Sequence, residues 1–355
     1  MVAAILRGVR YVGNQLAAAL PRNDGGACGI HFDAGGMQFV RMARTTGGEP
    51  WGLSACGSAV IDDGMLNGAQ IAKPEALARR LGELLERLEI EPQDLQGDTI
   101  VVALPSQGLR TQVIDYPADL PPRVLRAWCE RRAALLLPGD GTVDSRSRIG
   151  VTWAEPGSHR LRLYACEAAL ADDRVALLEM AGLRTHAMDA AHRAGRRAFR
   201  WARTKMHGVS TPESASAAHS NVPPVALLQI DAQEVDLAVF NGQTCVADVR
   251  ERFDGVNAHS EALASVVRTL LGALPVVPQI LHVTARGASP SELEDICVAI
   301  AATCGVEISP FDPLSHLTPA GSSMSRFHAP AQRTVLTVPF GLALRAMSMR
   351  GMSCE

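Results

Sequence analysis

The sequence predicts a duplicated α/β protein of two related lobes. Three observations carry this. A β-β-β-α succession begins near residue 26, and the same succession begins again near residue 225. Between them lies a small, polar, proline-ended stretch, MHGVSTPESASAAHSNVPP (206–224), with the composition of a linker.

The elements follow in order. In residues 1–25, Ile5, Val9, Val12, Leu16 and Leu20 keep helical spacing, while Arg7 and Arg10 interrupt any secretory leader; an accessory helix is expected. ACGIHFD, a tight Ala-Gly-Gly turn, MQFVRMA and WGLSACGSAV read as a hairpin and a third strand. Leu77, Leu81, Leu84, Leu85 and Leu88 then mark the buried stripe of an amphipathic helix. TIVVALP (99–105) and LRTQVIDYP (109–117) read as strands, and PPRVLRAWCERRAALLLP as a helix. Strands near 148–154 and 160–166, a helix near 168–181 and the closing strand LRTHAMD come next. The helix over 189–205 carries Arg193, Arg196, Arg197, Arg200 and Arg203, a basic stripe expected to face solvent or else an acidic or lipid-headgroup surface.

After the linker, PVALLQID and EVDLAVF are strands, Asn241-Gly242 is a hairpin turn, and QTCVADVRERF is the third strand. SEALASVVRTLLGAL is a helix and QILHVTARG a strand running into a loop. Ser289-Pro290-Ser291-Glu292 opens the next helix with a capping box and a first-turn proline, and Gly305 stops it. The Pro/Ser-rich stretch 308–332 shows no periodicity and reads as loop.

Composition excludes several classes. The net charge of −3 gives no overall pull toward nucleic acid. Eight scattered cysteines form no Cys-x-x-Cys or zinc spacing and read as buried, reduced thiols of a reducing compartment. The most apolar stretch, 269–281, is too short for a membrane span and holds two prolines. There is no Walker A, Gly-x-Ser-x-Gly or His-Glu-x-x-His motif. His31 and Asp33 share one strand face and can touch, but no nucleophile lies near them in sequence.

Taken in order, these segments resemble the PilM family, the cytoplasmic actin-like component of the type IV pilus inner-membrane assembly platform. GIHFDAGGMQFVRM (29–42) is similar to the family's first strand pair, and residues 101–138 to its inserted subdomain. VALLEMAGLRTHAMDAAHRA (175–194), LLQIDAQEVDLAVFNGQTCVADVR, the adenosine-loop region from Ile280 to Pro313, and VPFGLALRAM complete the likeness, which covers about residues 27–347. The resemblance implies an actin-like (ribonuclease H-like) duplicated two-lobed α/β fold with an inserted α/β subdomain. The first lobe would be 26–98 with 189–205, the inserted subdomain 99–188, and the second lobe 225–350, where only residues 255–279 stand in place of the usual helical clamp. FtsA and the type II secretion L protein have similar outlines.

The resemblance also places two phosphate loops and an adenosine loop. Laid without gaps, His31 falls on the family's first aspartate, Asp33 on its glycine and Gln38 on its lysine, with Gly35 and Gly36 in the turn. Gln229 and Asp231 repeat the offset in the second hairpin, and Thr284, Arg286 and Gly287 mark the adenosine loop. A two-residue slip would instead make Asp33-Ala34-Gly35 the Asp-x-Gly motif; the second hairpin has no such alternative. The family's aspartates orient hydrated Mg²⁺, and its glycines let backbone amides reach phosphate. Neutral His31 and Gln229 are poor replacements, and a carboxylate about 4 Å from phosphate costs roughly 4 kcal/mol at an effective dielectric near 20. A pseudo-ATPase is expected, with no cofactor, or Mg-ATP if the slip holds. The implied role is an adapter at the inner membrane that binds the N-terminal tail of a PilN-like single-pass protein beside residues 99–117, along with other platform proteins but no nucleic acid. A nucleotide-binding ATPase of the same fold and a type II secretion L-like component are the alternatives.

Overall fold

The computed structural model describes residues 25–44, 51–117, 120–137, 147–153, 160–207, 223–231, 234–252, 260–317 and 333–350. The strands are β1 (Ala27–Asp33), β2 (Gly36–Ala43), β3 (Gly52–Ala59), β4 (Leu66–Asn67), β5 (Gln70–Ile71), β6 (Thr99–Leu104), β7 (Arg110–Asp115) and β8 (Ser147–Trp153), then β9 (Arg160–Glu167), β10 (Ala187–Ala190), β11 (Val225–Asp231), β12 (Glu234–Asn241), β13 (Thr244–Arg252), β14 (Ile280–Ala285) and β15 (Glu307–Pro310). The helices are α1 (Pro74–Arg87), α2 (Pro122–Ala134), α3 (Ala168–Met180), α4 (Ala191–His207), α5 (Ser260–Gly272), α6 (Pro290–Cys304) and α7 (Thr337–Met349). The expected N-terminal helix and most of the expected linker lie outside the described residues.

The chain divides into two compact units whose bounds differ from the expected lobes: 1–26 with 61–191, and 27–60 with 192–355. The first unit holds α1, whose leucine stripe is buried as its spacing predicts. Strands β6 and β10 pair in parallel, Ala187–Ala190 lying beside Val101–Leu104. What stands apart is the antiparallel sheet β7-β9-β8, covered by α2 around Leu125, Cys129, Leu161 and Leu163.

In the second unit, β1, β2 and β3 form an antiparallel meander. Helix α7 lies so close to β1 that a Cβ on Gly29 would stand 1.9 Å from the Pro339 carbonyl oxygen, which only glycine permits. The other sheet runs β13-β12-β11-β14-β15, a meander followed by two parallel strands. Strand alternation gives this sheet two distinct faces. Leu228, Ile230, Val235, Leu237, Leu281 and Val283 bury against α5 and α6. The opposite face presents Gln229, Asp231, Glu234 and Asp236.

Two expectations are corrected. Residues 308–310, the start of the stretch read as loop, belong with Glu307 to β15; four residues ending in proline carry no sequence signal, and pairing with β14 makes them a strand. The α4 arginines are not a solvated stripe. Arg196 reaches Asp236 and Asp248, Arg197 donates to the Gly341 carbonyl, and buried Arg203 donates to the Gly242 carbonyl, leaving Arg200 exposed.

Candidate functional site

The site is built from the ends of three strands in the second unit. Strand β1 ends on Asp33, paired with Gly36 across the two-residue turn Ala34-Gly35. Asp33 Oδ1 accepts from the Gly35 amide at 2.9 Å, so the carboxylate caps its own turn. The other oxygen, Oδ2, lies 2.8 Å from His31 Nε2, as the shared strand face predicts. Gln38 sits buried opposite His31 in the register.

The loop after β14 supplies the partner that sequence reading missed. Arg286 turns its guanidinium between the two hairpins: Nε lies 3.5 Å from Asp33 Oδ2, and Nη2 donates to Asp231 Oδ2. Its side chain is only 9% exposed. Burial alone would lower its pKa, but Asp231 and Asp33 outweigh burial and raise it. Burial likewise would raise the Asp33 carboxyl; the charge and hydrogen bond of His31, then Arg286 and the Gly35 amide, hold it at about 2. The arginine and the aspartate are thus charged together.

The backbones close over this bridge. A Cβ on Gly35 would lie 2.6 Å from the Gly287 amide nitrogen and 2.7 Å from its Cα. Turn β1–β2 and the loop carrying Arg286 are therefore in direct main-chain contact. Thr284, expected in the adenosine loop, is buried and donates to the Thr334 carbonyl at 2.9 Å, tying β14 to the start of α7.

The second hairpin is settled differently. Gln229 donates from Nε2 to the His192 carbonyl at 3.0 Å and to Asp236 Oδ2 at 2.8 Å. Asp231 stands opposite Glu234 at the end of the pair. Arg250 Nε lies 2.7 Å from Glu234, and Arg196 sits between Asp236 and Asp248. Burial raises the Glu234 pKa, with Asp236 and Asp231 adding to it against Arg250 and Arg286. Three guanidinium groups, of Arg196, Arg250 and Arg286, thus meet four carboxylates across this sheet end.

The structure therefore brings together His31, Asp33, Gly35, Asp231, Arg286 and Gly287, while Gln229 and Thr284 are engaged beside them by other partners. Gly36 closes the first hairpin with φ +126, a backbone position that favours glycine. Among the described residues no cluster of three or more His, Cys, Asp or Glu side chains has the arrangement of a metal site. Chemically, the site is an ion network in which every carboxylate named has an arginine, histidine or amide as partner.

No protein-family model matches the chain, and no curated protein matches it. Solved structures do. A chain of the PilM-PilN type IV pilus biogenesis complex superposes with a TM-score of 0.71 at 18% identity, covering 92% of this chain and 99% of that one. The fold is actin-like. A Bacteroides thetaiotaomicron protein with actin-like ATPase fold and unknown function gives a TM-score of 0.49 at 8% identity, over 84% and 97% of the two chains. The cytoplasmic domain of EpsL, an inner membrane component of the Vibrio cholerae type II secretion system, gives 0.40 at 11% identity, over 89% and 96%.

Proposed function

We propose that this chain is an actin-like adapter of a type IV pilus inner-membrane platform, a pseudo-ATPase that holds neighbours in place without turning over nucleotide. One observation carries the reading: Arg286 bridges Asp33 and Asp231 while Gly35 and Gly287 touch, in the space between loops where an actin-like ATPase would pass its polyphosphate. To admit Mg-ATP, the arginine would have to leave two carboxylates, and those would then face phosphate oxygens. Losing a buried pair of this kind costs about 3–5 kcal/mol, two to four powers of ten in affinity.

The likeness to the PilM-PilN complex supports a PilN-like partner, whose cytoplasmic N-terminal tail would be the ligand. Strand β7 is an outer strand of its three-stranded sheet, with Arg110, Gln112 and Asp115 exposed, and offers main-chain groups to an extended tail. None of the described helices is long and apolar enough to cross a membrane, so on this reading the protein sits on the inner face of the membrane through its partners.

The test is calorimetric. Titration of ATP with and without Mg²⁺ is expected to give no heat of binding up to millimolar nucleotide. A synthetic tail of a PilN-like protein from the same genome is expected to bind at micromolar concentration. Micromolar Mg-ATP binding overturns the pseudo-ATPase reading; failure of every such tail overturns the adapter reading.

A further inference from the structure

Away from that site, the edge of the second-unit sheet carries a groove of about 650 Å³ between α6 and β15. Its floor is apolar: Leu293 and Cys297 from the helix, Val306 and Ile308 from the strand side. The Cys297 thiol is pushed up to about 11 by burial and then by Glu294, so it stays protonated and acts as a small apolar group. Val298, on the rim, is 64% exposed, a large apolar side chain left in water. Two further rim residues are Glu294 and Glu307, both exposed. Among the described residues neither forms an ion pair.

The strand side is open as well. β15 is the last strand of its sheet. The amides of Glu307 and Phe311 donate inward, to the Gln279 and Val283 carbonyls, so by alternation the Ile308 amide faces outward. Pro310 has no amide to offer and ends the ladder after that single rung. An unpaired rung beside an apolar floor suits an extended segment, and the proline limits it to a short one.

We propose that this groove is a docking site for a short extended segment of a partner protein that alternates apolar and basic residues. Its apolar side chain fills the floor between Cys297 and Ile308, and its flanking lysine or arginine side chains meet Glu294 and Glu307. The charge decides the occupant. A second copy of this chain would set the same acidic rim against itself, whereas a basic segment satisfies both carboxylates at once.

The probe is a fluorescein-labelled hexapeptide, Arg-Val-Arg-Val-Arg-Val, with Glu-Val-Glu-Val-Glu-Val and Arg-Ser-Arg-Ser-Arg-Ser as controls, followed by anisotropy on the full chain. The first is expected to bind at least about tenfold tighter than either control, and to weaken as salt rises. The double variant Glu294→Lys with Glu307→Lys, both on the surface, is expected to lose that binding by at least about tenfold while keeping the native melting temperature. Val298→Asp is expected to weaken it through the rim. Hydrogen exchange should slow at Ile308 on binding. Equal binding to the double variant, or to the acidic control, overturns the proposal. So does concentration-dependent dimerisation abolished by the same substitutions, since the groove would then belong to a second copy. None of these outcomes depends on nucleotide or on the tail expected at β7.

Discussion

The hairpins β1–β2 and β11–β12 are one device built twice and neutralised in two ways. Each ends its first strand on an aspartate, Asp33 or Asp231, with a side chain two residues earlier on the same face, His31 or Gln229. In the first hairpin that neighbour is an imidazole 2.8 Å away, so much of the compensation is local. In the second it is an amide already engaged by His192 and Asp236, and two further carboxylates, Glu234 and Asp236, crowd the opposite strand. Compensation there comes from Arg286, Arg250 and Arg196, residues on other elements. The first hairpin thus carries part of its compensation within itself, whereas the second depends on arginines that other elements bring to it.

Arg286 is the one group serving both hairpins, so removing it should break the comparison most. Arg286→Ala leaves two buried carboxylates without their shared cation, and a loss of about 3–5 kcal/mol is expected in urea unfolding. Asp33→Asn combined with Asp231→Asn in that background should recover a large part, because the uncompensated charges are gone. If Arg286→Ala costs less than about 1 kcal/mol, the bridge is not what holds these loops.

Next comes the close approach. Gly35→Ala places a methyl group against the Gly287 backbone, and the expected cost is about 1–3 kcal/mol. The same change with Gly287 left intact should also raise amide exchange in the Arg286 loop.

Acid should separate the hairpins by sign. Asp33 titrates at about 2 in the folded chain, below its ordinary 3.8. Its contribution, about 2 kcal/mol, is therefore full above pH 3.8 and lost as pH falls through 2. Glu234 is displaced the other way: its folded pKa is raised above 4.5, so its contribution is full below 4.5 and lost as pH rises through the folded value. Urea midpoints measured from pH 2 to 6 should lose the acid limb in Asp33→Asn and the opposite limb in Glu234→Gln. Parallel profiles in both variants would erase the distinction between the hairpins.

The smallest effect is expected at an exposed pair in the other unit. Arg148 Nη2 lies 2.8 Å from Asp172, and Arg148→Ala should cost well under about 1 kcal/mol and less still in high salt.

Much of the fold was legible because its signals are local. The leucines of α1, the capping box at Ser289 and Glu292, and the strand alternation of β11 and β12 each write their element within a dozen residues. The contact of His31 with Asp33 was legible for the same reason, two residues on one strand being two residues on one face. Arg286 was read only as part of the adenosine loop. Its partners lie 253 and 55 residues away, and nothing in spacing encodes a contact of that range. The α4 arginines failed similarly: a helical stripe names a face and not what covers it. Strand β15 was missed because neighbours, rather than its own four residues, make it a strand.

Helix α7 rests on the backbone of Gly29, so the second unit joins segments far apart along the chain. During synthesis, β1 to β3 emerge first and must wait for residues up to 349 before their covering helix exists. At about 5–20 residues per second that interval is roughly 15–60 s. For its duration the apolar side of the meander lacks its cover and is open to aggregation.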